Sequence, residues 1–279
     1  MRRKKTVDKV RFSFRRVLKL LGVGLWVGYL FYLYQPIRAD IFPPRGPSQR
    51  ESRPIESTGL LRPKARILIV TAHPDDEAFY LGGTLLRIQS SATVHLVVLT
   101  DGDKGYYPFI DSKAISKTRQ GEVRTLAQKV GIESTEFHQE PDGRLRPEPK
   151  TVRRLEQVLR EFKPDEVLVF DDQYWPRISH NDHRNAGIVA VLALQGVNFT
   201  GGVFRYSTTA PNTTLDVSAV WPQAQKNLGI HASQFHGSKL ELIQLLTTSN
   251  AIEAGASAGF SFGEPFRYEV WRDGKVIFR

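Results

Sequence analysis

Two periods of apolar and polar residues organise most of the chain. Ile67 to Val70 is an unbroken aliphatic run, which predicts a buried strand, and His73-Pro74 ends it because proline cannot donate to a ladder and restrains the residue before it. Phe79, Leu81, Leu85, Leu86 and Ile88 then recur at helical spacing within Ala78 to Ser90. Gly82-Gly83 is poor helix material and predicts a close backbone approach to a neighbour. Further strands are predicted over Thr93 to Leu99, Ser134 to His138, Glu166 to Phe170 and Gly201 to Ser207, and helices over Ser116 to Val130, Thr151 to Phe162 and Ala186 to Leu194. His231 to Thr247 reads as a helix, amphipathic from Ser233 to Leu246, and Phe266 to Arg279 as an outer hairpin turned by Asp273-Gly274 that completes or caps the sheet. Alternation of strand and helix implies an α/β domain of Rossmann-like type, its sheet mostly parallel with helices on both faces.

The first 65 residues follow neither period. Residues 2–19 carry nine Lys/Arg and one acid, and Leu20 to Tyr34 is a charge-free run rich in aromatics. With Val17, Leu18 and Lys19 it reaches 18 residues, about 27 Å as a helix, which matches a bilayer core. Residues 1–34 are therefore expected to form a basic N-terminus and a single uncleaved transmembrane helix over the apolar run, a cleaved signal peptide being the competing reading. Nine basic residues before the run against four soon after it place the N-terminus in the cytoplasm and the body outside. Residues 35–65 hold six prolines and no periodicity, as a linker does, so the enzyme-like body is 66–279.

Charge follows the same division. Residues 1–65 hold 15 Lys+Arg against 4 Asp+Glu, and residues 66–279 hold 24 against 25. The net +10 belongs to the N-terminal part, and a near-neutral body offers no groove for nucleic acid. The chain has no cysteine, so disulfides and thiolate metal sites are excluded.

The candidate chemistry sits at two strand ends. His73, Asp75, Asp76 and Glu77 follow the first strand, and His180-Asn181-Asp182-His183 lie between the Glu166 to Phe170 strand and the next helix. Each cluster opens a helix and holds two candidate ligands three residues apart, His73/Asp76 and His180/His183. Neighbouring carboxylates repel unless a proton or cation compensates them, and a metal does so most simply. Helix capping by the acidic residues is the competing explanation of the first cluster. The clusters meet if their strands are neighbours at the switch point of a sheet ordered 3-2-1-4-5.

Ala72-His73-Pro74-Asp75-Asp76-Glu77, Gly82-Gly83-Thr84 and His180-x-Asp182-His183 resemble the LmbE-like / PIG-L zinc-dependent N-deacetylases. The resemblance runs from about Arg66 to about Leu246, through Thr100-Asp101-Gly102-Asp103-Lys104-Gly105, Arg119-x-x-Glu122 and His231-x-Ser233-Gln234. It implies an LmbE-like fold, with Zn2+ held by His73, Asp76 and His183, Asp75 as general base and His180 steadying the oxyanion. Asn181 stands where proline is more usual. Asp182 joins the catalytic set as the residue expected to orient His180 or His183. Asp101, Asp103, Lys104, Tyr106 and Tyr107 form a loop suited to sugar hydroxyls and ring faces. Arg119 is read either as a surface ion-pair partner of Glu122 or, by the resemblance, as a substrate contact. His95, His231 and His236 are read as structural, Asp171 and Asp172 as solvated loop acids with one of them supporting the histidines from behind as the alternative, and Trp175-Pro176 as lining a pocket mouth. The implied function is a membrane-anchored hydrolase that removes acetyl from an N-acetylglucosamine-type sugar on a glycolipid or envelope glycan. A silent sugar-binding protein on the same fold, or an amidase for another acyl-glucosamine conjugate, are the alternatives.

Overall fold

The computed structural model describes residues 53–54, 60, 62–105, 112–173 and 181–278. The proposed anchor, Leu20 to Tyr34, lies outside them, as do His180, Tyr106, Tyr107 and Trp175-Pro176. Among the described residues no helix is long and apolar enough to cross a membrane.

The aliphatic run at Ile67 forms β2 (Ala65–Thr71), and Ile67, Leu68, Ile69 and Val70 are all fully buried. It lies parallel between β3 (Ala92–Thr100) and β5 (Glu166–Phe170), so that Ile67 stands level with Val94 on one side and Glu166 on the other. β4 (Ser134–Glu140) lies beyond β3, and β6 (Gly201–Tyr206) beyond β5. In chain order these five parallel strands are arranged 3-2-1-4-5, as the pattern predicts. A switch point therefore falls between β2 and β5. The chain leaves β2 toward β3 through α1 (Asp76–Ile88) and β5 toward β6 through α4 (Asn181–Gly196), in opposite lateral directions. Right-handed crossovers then set these two helices on opposite faces, with their N-termini at the same sheet edge. α2 (Ser112–Val130) and α3 (Pro149–Phe162) join the remaining parallel strands, α3 packing on α4.

The far side of the sheet departs from expectation. The C-terminal strand β8 (Gly263–Arg272) is internal, antiparallel to β6 through Arg267–Trp271 and to β7 (Thr213–Asp216) through Gly263–Phe266. β1 (Arg53–Pro54) lies parallel to β7, and β9 (Lys275–Phe278) returns antiparallel to β8. The turn is where the sequence places it, with Asp273 and Gly274 both at positive φ, 50° and 71°. The helix expected from His231 begins only at Gly237, as α6 (Gly237–Ala256), because residues 231–235 form a turn in which Gln234 and Phe235 N–H donate to the His231 carbonyl. A shorter helix, α5 (Trp221–Leu228), precedes it and packs on α1.

Gly82 and Gly83 differ in what they permit. A Cβ at Gly83 would sit 2.6 Å from Val217 and 2.9 Å from Glu264 Oε1, whereas one at Gly82 would lie 3.4 Å from the Ala224 side chain. Gly83→Ala is therefore expected to destabilise the protein by about 1–3 kcal/mol through overpacking, and Gly82→Ala by much less. Urea unfolding of the two variants checks the difference.

Candidate metal centre

The two helix N-termini deliver their side chains to one point. β2 ends at Thr71, the chain turns through Pro74, and Asp76 folds back so that Ala72 N–H and His73 N–H donate to its Oδ2 at 3.0 and 2.7 Å. One carboxylate oxygen is thereby committed to the backbone. The other, Oδ1, faces His183 Nε2 at 3.1 Å, and His183 Nε2 lies 3.1 Å from His73 Nδ1. His73 Nδ1 is 3.7 Å from Asp76 Oδ2. His183 comes from the first turn of α4, its ring stacked on Phe170 at the end of β5 with centroids 4.4 Å apart. Gly187 lets that helix approach, since a Cβ there would meet the Phe170 carbonyl at 2.6 Å.

These three side chains suit a cation. Two imidazole nitrogens and one carboxylate oxygen lie within 4.8 Å of one another, all on buried or nearly buried residues. Tetrahedral ligation at about 2.0–2.1 Å separates neighbouring donors by roughly 3.3 Å, the scale of the edges seen here. Such a three-donor set leaves a fourth position open. A second group, His73 with Asp142 and Asp182, is also close enough. Its carboxylates are already engaged. Asp182 accepts from Gly143 N–H and Leu145 N–H, Asp142 Oδ2 accepts from Lys104 N–H, and the Arg119 guanidinium lies 3.5 Å from Asp142. A cation there would meet an existing one.

Asp142 and Asp182 instead face the back of His73, whose Nε2 lies 3.2 Å from Asp142 Oδ1 and 3.4 Å from Asp182 Oδ2. A carboxylate behind a ligating histidine fixes its tautomer and its ring plane. Burial alone would lower the His73 pKa; Asp142, Asp182 and Asp76 together outweigh it and raise it to about 10. Burial likewise pushes the Asp76 carboxyl up, and His183 and His73 overcome that, holding it well below the usual carboxylate range. Burial opposes ionisation of Asp142 too, but His73 and Arg119 bring it down to about 2.

Arg119 is buried rather than at the surface. It donates from Nη1 to the Gly102 carbonyl at 2.8 Å and from Nη2 to Asp75 Oδ2 at 3.0 Å. Glu122 instead accepts from Ser233 N–H and Oγ–H at 2.7 and 2.6 Å. Glu77 takes no part in the donor set; it pairs with His231 at 3.0 Å, both fully buried. His95 bonds Ser134, consistent with its structural reading. Asp103 N–H donates to Asp101, and the Lys104 side chain lies over Gly143. Asp182 meets His73, and His180, one of the two histidines it was expected to orient, lies outside the described residues. Asp171 and Asp172 are not solvated loop acids: Asp171 is 2% exposed and accepts from Arg267 and Thr208, and Asp172 pairs with Arg205. Asp142 is the site residue that sequence reasoning passed over. Its signal was Pro141-Asp142-Gly143, a turn at the carboxyl end of β4 and so on the same sheet edge.

Residues 68–194 match the family model described as PIG-L: GlcNAc-PI de-N-acetylase. The chain is 28% identical over 225 residues to diacetylchitobiose deacetylase of Thermococcus kodakarensis, across 73% of this chain and 82% of that protein. Its fold is similar to that of N,N'-diacetylchitobiose deacetylase from Pyrococcus horikoshii, solved with an inhibitor, at TM-score 0.70 and 23% identity over 77% of this chain and 85% of that one. It is also similar to GalB, the 4-carboxy-2-hydroxymuconate hydratase of Pseudomonas putida, at TM-score 0.62 and 22% identity over 73% and 95%. A deacetylase and a hydratase share this architecture, so the reaction must be argued from the side chains.

The electrostatics behind His73 have a thermodynamic consequence. Its folded pKa of about 10 exceeds the ordinary 6.5, so in metal-free protein its contribution to stability is full below pH 6.5 and is lost as pH rises toward 10. Urea midpoints of chelator-treated protein are expected to fall across that window, and Asp142→Asn to flatten the fall.

Proposed function

This chain carries a PIG-L (LmbE-like) family domain, and from that premise we propose that it is a zinc-dependent hydrolase removing the N-acetyl group from N-acetylglucosamine-type sugars. The observation that carries the reading is the convergence of His73, Asp76 and His183, with the Asp75 carboxylate beside it and outside the donor set. Zinc bound there supplies a Lewis acid for the amide carbonyl and makes water acidic near neutral pH. Two imidazoles and a carboxylate, with no thiolate in the chain, are a ligand set that zinc accepts.

Asp75 is the general base in this reading. Its Oδ2 is held by Arg119, which leaves Oδ1 to take the proton of the attacking water and later deliver it to the departing amine. Arg119 also keeps that carboxylate from turning into the donor set. Asp142 and Asp182 fix the His73 ring from behind, which is the work we assign to Asp182 in catalysis. His180, three residues before His183, is the group we propose to donate a hydrogen bond to the developing oxyanion. Asp103, Lys104 and Tyr106 are the proposed substrate contacts. Arg119, already engaged by Asp75 and Gly102, serves the sugar with whatever donor capacity remains.

The near neutrality of residues 66–279 favours an uncharged sugar over a polyanion. We further propose that Leu20 to Tyr34 spans a membrane with the N-terminus cytoplasmic, so that a short linker holds the hydrolase outside the cytoplasm beside glycolipid or envelope glycan.

Three variants separate the roles. His73→Ala and His183→Ala are expected to lose zinc in metal analysis, and full retention in both would defeat the site. Asp75→Asn should keep its zinc while acetate release from N-acetylglucosaminyl substrates falls by about 10²-fold or more. Chelation should abolish that release and zinc restore it. Turnover of peptides with none of N-acetyl sugars would refute the substrate class.

A further inference from the structure

β8 places buried charge against both of the chain segments that lead to the donor set. Helix α1 is not continuous: Leu81 has φ −128° and ψ 15°, which breaks the helix one turn after Asp76 and Glu77. Such a break frees the N–H groups that follow it from the carbonyls one turn back. Glu264 of β8 takes them. Gly83 N–H donates to its Oε1 at 2.7 Å, Thr84 N–H donates to Oε2 at 2.8 Å, and the Thr84 hydroxyl donates to Oε2 as well. A carboxylate from another strand thus caps the second segment of α1. The short first segment, Asp76 to Tyr80, is left as a separate turn whose direction depends on the break. Tyr80 of that turn packs edge-on against His183, with centroids 5.7 Å apart, and against Phe170 at 5.2 Å.

Three residues along β8, Arg267 addresses the other half. A spacing of three in a strand sends the two side chains to opposite faces of the sheet. Arg267 Nε donates to Asp171 Oδ2 at 3.0 Å and Nη2 donates to Asp171 Oδ1, a fork on the residue that immediately follows Phe170. Asp171 is further held by Thr208, and its N–H donates to the Tyr206 carbonyl at 3.0 Å. Phe170 is the ring on which His183 stacks. Glu269 and Arg205 complete the buried charge behind this fork.

We infer that Glu264 and Arg267 are positioning residues of the metal centre, Glu264 fixing the turn that carries Asp75 and Asp76 and Arg267 fixing the strand end that seats His183. The inference rests on the reading of that site as a metal centre. Both residues act through others, since neither is among the side chains that converge on the donor set. Both residues lie beyond the family match, which ends at residue 194.

The test uses the full chain with Glu264→Gln, which keeps the shape and loses one acceptor, and Arg267→Lys, which keeps the charge and loses the fork. Zinc affinity by chelator competition is expected to weaken by about 10-fold or more in each, with kcat falling comparably and KM within twofold of wild type. In metal-free protein, amide hydrogen exchange should quicken over residues 76–80 in Glu264→Gln and over residues 181–186 in Arg267→Lys. Lowered thermal stability with zinc affinity, kcat and local exchange unchanged would overturn the inference, because it would show the two residues merely holding the sheet together. Wild-type protein that binds no zinc would instead sink the functional reading, and the exchange measurement would then decide the positioning roles alone.

Discussion

Three buried carboxylates, Asp76, Asp142 and Asp182, converge on the single imidazole of His73, and neither the residues nor their neighbours make sense without the charge compensation this requires. Placing such charges away from water costs several kcal/mol per ion unless hydrogen bonds and opposite charge offset it. The backbone supplies part of the offset, through Ala72 and His73 to Asp76 and through Gly143 and Leu145 to Asp182. Arg119 supplies another part, shared between Asp75 and Asp142. What remains is the Asp76 side, where His183 and His73 turn nitrogens toward the two oxygens of one carboxylate and toward each other. A cation would relieve that crowding, which is the physical support for the proposed metal site.

The fold satisfies this constraint because its sheet reverses direction between β2 and β5. Helices leaving on opposite faces bring two N-termini to one edge, and each begins with the residues that serve as donors. His73 and His183 are 110 positions apart in the chain and 3.1 Å apart in space. Behind them β8 runs against the direction of its neighbour β6 and carries the buried charges that brace both turns.

Much of this was legible in the sequence, and the limits are physical. The five parallel strands and their order followed from unbroken apolar runs and from motifs at two strand ends that had to meet. The clusters holding His73, Asp76 and His183 were readable because they sit at strand and helix boundaries that the pattern marks clearly, while the choice of these three as ligands came from the family resemblance. Asp142 was not, since a Pro-Asp-Gly turn is common at any loop and only the sheet's geometry shows that this one ends beside His73. Arg119 looked like a surface partner for Glu122 because helical spacing pairs them, yet tertiary packing turns each toward a different loop. The C-terminal third was least legible: α6 carries large apolar residues on its exposed side as well, Leu242, Leu245 and Ile252, which blurs the period, and β8 is identified as internal only by the short strands β7 and β1 beyond it.

The central claim is where the metal lies, and one measurement addresses it directly: an anomalous-scattering map collected at the zinc edge from crystals of the protein grown with zinc. A single peak bonded to His73 Nδ1, Asp76 Oδ1 and His183 Nε2 at about 2.0–2.2 Å is the expected result. A peak on the opposite side of His73, between Asp142 and Asp182, or none within reach of His183, would contradict it.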